Sequence, residues 1–293
     1  MLRQSWQDTY VRQWLANQVL LYRLRGIRLA FTEAGIDVLL LKGPYLAKRF
    51  YGDLAQRSFE DIDLLVRAEQ AGPCLRWMRN ELGFSGSTLF HPLLSGFSPL
   101  LRGLTHAKSV RRGDLIVDLH WALRCHPSFA IDNVRLWATR QVFTLPGQGE
   151  EPIDVPADEY VLVLTLLGIF DDLSRLVLPI KGLIDAFLIL RAVDPVFDWP
   201  DFLARRRTER LHRIVVDVLA TVLELFDGRE QLPGLAAAIE KAGQTDCRGP
   251  KIVLGRTSRA RAIWSYRLRL YDMPRPISFL HFLVAAPLRT ALF

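Results

Sequence analysis

Asp61 and Asp63 stand two apart in Arg57-Ser58-Phe59-Glu60-Asp61-Ile62-Asp63-Leu64-Leu65-Val66, a run otherwise rich in Ile, Leu and Val. Such a run reads as a strand, and side chains two apart on a strand share a face. The carboxylates are therefore presented together while Ile62 and Leu64 turn to the core. Like charges held that close repel, and a divalent cation is the usual remedy. A third acid stands in Leu115-Ile116-Val117-Asp118-Leu119-His120-Trp121, where Asp118 shares a face with His120. An isolated carboxylate in an apolar strand is costly unless it is paired or bound to a metal, so Asp118 is the natural third ligand. Ligation by the oxygens of Asp61, Asp63 and Asp118 points to Mg2+ or Mn2+.

Three carboxylates on neighbouring strands can hold two divalent ions about 4 Å apart, one activating a hydroxyl and one clamping a triphosphate so that pyrophosphate leaves. That chemistry is nucleotidyl transfer. Lys42-Gly43-Pro44 then reads as a phosphate-facing turn. Gly43 lets backbone approach, the helix opening at Pro44 offers free N–H groups, and Lys42 adds positive charge. Arg57 either joins Lys42 on the triphosphate or neutralises the acids as a structural ion pair. His120 is read as an orienting neighbour of the acids rather than a base.

In combination, Lys42-Gly43, Tyr51, Arg57, Asp61-Ile62-Asp63-Leu64-Leu65-Val66 and Val117-Asp118-Leu119-His120-Trp121 resemble the pattern of the uncharacterised nucleotidyltransferase family within the polymerase-β-like superfamily. The resemblance covers roughly residues 10–200 and implies an α+β nucleotidyltransferase core followed by a helical portion. It also implies metal-dependent transfer from a nucleoside triphosphate, ATP being the expected donor, to a hydroxyl-bearing acceptor. The chain departs from the wider superfamily in having Lys42-Gly43 where a Gly-Ser turn is usual. It also resembles nucleotidyltransferase toxins through Lys42-Gly43 and the Arg57–Asp63 run.

The elements that must position these residues follow from periodicity. Apolar positions from Trp14 to Phe31 recur every three or four residues and predict a helix over 11–34 ending near Gly35. Ile36–Leu41 reads as a buried strand, Pro44–Tyr51 as a helix, Asp61–Val66 as a strand and Gln70–Leu82 as a helix. Residues 85–105 read as a loop. Ala107–Val110 and Leu115–Trp121 flank the turn-prone Arg111-Arg112-Gly113-Asp114 and predict a hairpin. The sum is a small mixed sheet with flanking helices. A Pro/Gly-containing connector is expected over 141–156, then helices over Val161–Phe170, Arg175–Val193, Asp201–Leu225 and Arg256–Leu270. The expected domains are 1–145, the core with its N-terminal helix, and 146–293, a helical domain with a basic C-terminal segment.

The 293 residues are 50% apolar and 24% charged, which excludes disorder and fibrous classes. Cys74, Cys125 and Cys247 form no CxxC pair, so a reducing compartment is expected rather than a disulfide framework. His120, Cys125 and His126 lack a fourth zinc ligand. No P-loop or G-x-S-x-G motif is present, and Trp77, Trp121 and Trp137 read as core rather than base-stacking residues. Arg3, Asp8 and Arg12 interrupt the N-terminal segment, so neither a signal peptide nor a transmembrane segment is expected and the location reads as cytoplasmic. Residues 251–293 hold eight basic side chains against Asp272 alone, accounting for the whole formal charge of +7. That segment could meet RNA or another polyanion, as could Arg205-Arg206-Arg207; a solvated helix face explains either equally well. The alternatives to nucleotidyl transfer onto an unspecified acceptor are a toxin-like enzyme acting on tRNA or other RNA, and a non-catalytic relative binding nucleotide or peptide.

Overall fold

The computed structural model describes residues 2–86, 105–124, 129–145, 151–175 and 177–242. The expected helix over 256–270, most of the expected loop over 85–105, the basic segment 251–293, and Cys125, His126 and Cys247 lie outside them. Contacts group the chain into two units, Met1–Cys125 with Asn133–Ala157, and His126–Asp132 with Asp158–Phe293.

The first unit opens with helix α1 (Leu2–Glu33). Leu21, Leu24, Ile27 and Phe31 are buried along one side of it, each contributing about 1.5–3 kcal/mol. The helix stops where Gly35 takes φ +64° and the N–H groups of Gly35 and Ile36 donate to the carbonyls of Thr32 and Phe31. Then come β1 (Leu39–Leu40), α2 (Pro44–Phe50), a 3-10 turn at Leu54–Gln56, β2 (Asp61–Leu65), α3 (Ala71–Asn80), β3 (Ser85–Gly86), β4 (Ala107–Arg112) and β5 (Leu115–His120). After α4 (Asn133–Ala138), β6 (Gln141–Leu145) and β7 (Glu151–Val155) complete one mixed sheet in the order β3-β4-β5-β2-β1-β7-β6.

The 141–156 stretch, expected as a connector, is thus a strand pair. β7 runs parallel to β1, Leu39 opposite Asp154, and antiparallel to β6. Its alternation of buried Ile153 and Val155 with half-exposed Asp154 was hidden by Pro152 and by the Pro- and Gly-rich composition around it. On the sheet, Leu40, Ile62, Leu64, Val117 and Leu119 are at most 1% exposed, with α1 against β2 and α3 against β5.

Asn17, fully buried on α1, ties this layer to the segment entering β2. Its Nδ2 donates to the carbonyl oxygens of Leu54 at 2.5 Å and Arg57 at 2.9 Å, and its Oδ1 accepts from Gln13 Nε2 at 2.8 Å. One amide thus fixes the loop that carries Arg57.

In the second unit, α5 (Asp158–Ser174) is buried nearly all round, and α6 (Ile180–Val193) and α8 (His212–Leu225) pack on it. The helix expected over 201–225 is two, α7 (Trp199–Thr208) and α8, with α9 (Pro233–Lys241) following. The break falls at Arg210, whose φ of +58° is a left-handed conformation, and Leu211 N–H caps α7 by donating to the Arg206 carbonyl at 2.8 Å. Arg206 is fully buried with Nε 3.0 Å from Glu209, and Arg205 pairs with Glu159 and Asp201. These two arginines are committed within the fold rather than offered to a polyanion.

Two tests follow from this packing. Asn17→Ala strands two buried carbonyls and is expected to cost about 2–4 kcal/mol in urea unfolding with unchanged m. Cys74, 1% exposed on α3, has its thiol pushed up to about 12 by burial. With Cys125 and Cys247 replaced by Ser, native protein at pH 8 is expected to resist iodoacetamide and to react once unfolded; rapid native labelling would contradict the packing of α3.

Candidate active site

The pairing of β2 with β5 builds the site. The strands run parallel with Asp61 opposite Ile116, Asp63 opposite Asp118 and Leu65 opposite His120. Alternation therefore puts Asp61, Asp63, Asp118 and His120 on one face while Ile62, Leu64, Val117 and Leu119 fill the other. Asp63, Asp118 and His120 each present a ligand atom, and these atoms lie within 4.8 Å of one another. His120 Nε2 is 3.1 Å from Asp63 Oδ1. Asp61 shares the face one step back along β2, and among the described residues the group with converging ligand atoms is Asp63, Asp118 and His120. The trio expected from spacing was Asp61, Asp63 and Asp118; the group whose ligand atoms lie within 4.8 Å of one another holds Asp63, Asp118 and His120.

Electrostatics separates the two β2 carboxylates. Burial pushes Asp63 up, but the charge of Lys42, the hydrogen bond and charge of His120, and the charge of Arg57 outweigh it and hold the carboxyl well below the usual range. Lys42 Nζ stands 3.7 Å from Asp63 Oδ1, the oxygen that His120 also meets. Asp61 moves the other way. Burial raises its pKa first, then the charges of Asp63 and Asp118, with Lys42 only partly offsetting them. Because the fold holds the Asp61 proton more tightly than the unfolded chain does, Asp61 costs stability as pH rises through the raised value. A cation beside it removes that cost.

Gly43 turns the chain from β1 into α2 at φ +62° and ψ −120°, a region that disfavours any side chain. A Cβ there would meet the Phe59 ring at 3.7 Å, which is ordinary contact, so backbone conformation rather than space demands glycine. Leu41 N–H donates to the Asp63 carbonyl at 3.0 Å, carrying the β1–β2 pairing up to this turn and placing Lys42 over the acids. Arg57, buried at 6% exposure, acts electrostatically on Asp63. Lys42, Arg57, Asp63, Asp118 and His120 are thus drawn together, with Gly43 at the turn beside them.

Sequence reasoning passed over Ser109, whose hydroxyl on β4 donates to Asp118 Oδ1 at 2.5 Å. The hairpin contained the signal. Arg112 opposite Leu115 across the Gly113 turn puts Ser109 opposite Asp118 by simple counting. It also missed His106, whose ring centre is 5.7 Å from that of His120 and whose Nε2 meets Arg124 Nη1 at 2.9 Å; no spacing rule connects these.

No helix among the described residues is long and apolar enough to cross a membrane. No curated protein matches the chain significantly. Two structures of one protein are among the solved structures similar to this chain. One is the solution structure of the antibiotic-resistance factor ANT(2'')-Ia, at 13% identity and TM-score 0.41, covering 60% of this chain and 85% of that one. The other is the crystal structure of ANT(2'')-Ia in complex with adenylyl-2''-tobramycin, at 14% identity and TM-score 0.42, covering 65% and 96%. The model of the uncharacterised nucleotidyltransferase family matches residues 1–227, a span that holds the Lys42-Gly43 turn and all the acids of the β2–β5 face, and the chain belongs to that family.

Proposed function

We propose that this face transfers a nucleoside monophosphate from a nucleoside triphosphate, with ATP as donor, to a hydroxyl-bearing acceptor, releasing pyrophosphate. The observation that carries the proposal is the convergence of Asp63, Asp118 and His120 within 4.8 Å on paired strands beside Lys42.

The donor set suits a divalent cation. Asp63 is held ionised in a buried setting, Asp118 is steered by Ser109, and His120 adds an imidazole nitrogen. Two carboxylates and an imidazole favour Mn2+ over Mg2+ more than three carboxylates would. Bound there, the ion would offset the charge of the phosphates and ease deprotonation of the acceptor hydroxyl. Asp61 borders the group and adds a carboxylate once a cation offsets its repulsion from Asp63 and Asp118. Lys42 and Arg57 bring positive charge to the phosphates, and the side-chain-free Gly43 leaves the backbone open to them. Asp118, the most exposed of the three, would hold the acceptor hydroxyl and take its proton.

Labelled triphosphates, Mn2+ or Mg2+ and a cell extract provide the test. Asp63→Asn and Asp118→Asn are each expected to lower pyrophosphate release at least about a thousandfold. A wild-type chain that binds triphosphate without releasing pyrophosphate overturns transfer in favour of binding alone. Mn2+ binding followed by electron paramagnetic resonance checks the ligand set independently of turnover. His120→Ala is expected to weaken it at least about tenfold, and an unchanged affinity would remove His120 from the site.

A further inference from the structure

β4 lies on the far side of the acids from Lys42. The sheet runs β4-β5-β2-β1, so the paired Asp63 and Asp118 stand between the turn that carries Lys42 and the strand that carries Ser109. The Ser109 hydroxyl reaches Asp118, which fixes the face on which Ser109 stands. Arg111, two residues on, shares that face, while Lys108, Val110 and Arg112 take the other. Arg111 is opposite Ile116 and is therefore the diagonal neighbour of Asp118, about 7–8 Å away and within reach of a long side chain. The other charges near the turn are engaged in the fold. Arg112 donates to the Leu82 carbonyl at 3.2 Å and lies 5.1 Å over the Phe84 ring, Asp114 pairs with Arg23 at 2.9 Å, and Lys108 packs beside Gly86 on the opposite face. Arg111 is exposed, and its guanidinium pairs with no carboxylate among the described residues.

We propose that Arg111 recognises the acceptor, and that the acceptor is a small hydroxyl compound carrying an oxyanion, a carboxylate or a phosphate, close to the hydroxyl it offers. This rests on the transfer proposed above and adds the acceptor's charge to it. Displacement at phosphorus sets the attacking and leaving oxygens roughly in line. With Lys42 on the β1 side to meet the departing pyrophosphate, the acceptor enters from the β5–β4 side, where Asp118 takes its proton and Arg111 stands one diagonal step away. The planar fork of a guanidinium accepts either oxyanion in a two-point contact, which would hold the neighbouring hydroxyl at Asp118. The same charge repels an ammonium group, so a polyamine acceptor is disfavoured. A single guanidinium suits a single oxyanion, whereas a polynucleotide is met by a basic track along a face.

The full chain, Mn2+, ATP labelled at the α-phosphate and a cell extract give the test. The wild type is expected to label a product that ribonuclease leaves intact. Phosphodiesterase cleavage of that product to AMP and free acceptor is expected to yield an acceptor that migrates to the anode near neutral pH, and phosphatase then separates a phosphate from a carboxylate. At limiting extract, Arg111→Ala is expected to lower labelling at least about tenfold with the KM for ATP unchanged; Arg111→Lys recovers part of the loss and Arg111→Glu labels less than Arg111→Ala. Circular dichroism checks that each variant is folded. A neutral or cationic acceptor overturns the proposal, as does a ribonuclease-sensitive product, which would make the acceptor a polynucleotide. Labelling by Arg111→Glu that equals the wild type overturns it too, and so does a KM for ATP that rises in step with the loss, which would put Arg111 on the donor. A wild type that labels nothing fails the transfer reading itself, and the acceptor inference falls with it.

Discussion

A buried carboxylate is stable only when charge of the opposite sign is built around it, and Asp63 is the point at which this unit meets that demand. Its side chain is 9% exposed, and Lys42, His120 and Arg57 act on it from three separate segments of the chain. Each of those segments needs its own support. Lys42 depends on the Gly43 turn, His120 on the parallel register of β5 with β2, and Arg57 on the loop clamped by Asn17. Remove any one and the others face a charge they no longer balance. The cost of an uncompensated buried charge exceeds that of most single packing defects.

This requirement explains features that packing alone does not. The β1–β2 pairing needs no more than two formal strand residues in β1, because the chain must leave the sheet at Leu41 for Lys42 to turn over the acids. The parallel β2–β5 pair sits inside the sheet, flanked by β1 and β4, so the carboxylates rise from a floor that cannot slide without breaking ladders on both sides. A one-residue slip of β5 would put Val117 or Leu119 opposite Asp63 and send Asp118 into the core.

Much of this was legible in the residues themselves. The period-two run through Asp61 and Asp63, the matching run through Asp118 and His120, and the Gly113 turn were sufficient to assign β2, β4 and β5. The partner strands could not be read the same way, because pairing between β2 and β5 joins segments about fifty residues apart and leaves no local trace. For the same reason the closeness of His120 to Asp63 went unread. Spacing within a strand favoured Asp61 as the neighbour, whereas the diagonal across two strands brings in the imidazole. The β6–β7 pair was obscured by Pro152 and Pro156, which carry turn signals in a stretch that nonetheless pairs. In the second unit the basic run at Arg205–Arg207 looked like a surface feature. Only the fold shows Arg206 enclosed beside Glu209, Phe202 and Tyr160.

The two β2 carboxylates are the same chemical group on the same face of the same strand, yet their environments drive their protons in opposite directions. Asp63 is ionised because cationic side chains converge on it, while Asp61 holds its proton more strongly than usual because of its burial first and then the charges of Asp63 and Asp118, which Lys42 and a backbone hydrogen bond only partly offset. Carboxyl groups driven apart in this way accord with the function proposed for this face, since a structural ion-pair network tends to match each acid with its own base. The imbalance lies on the acidic side and is confined to one face of the sheet. Additional positive charge, of the kind a divalent cation carries, settles both residues at once. The register of the two parallel strands is what holds these carboxylates on one face.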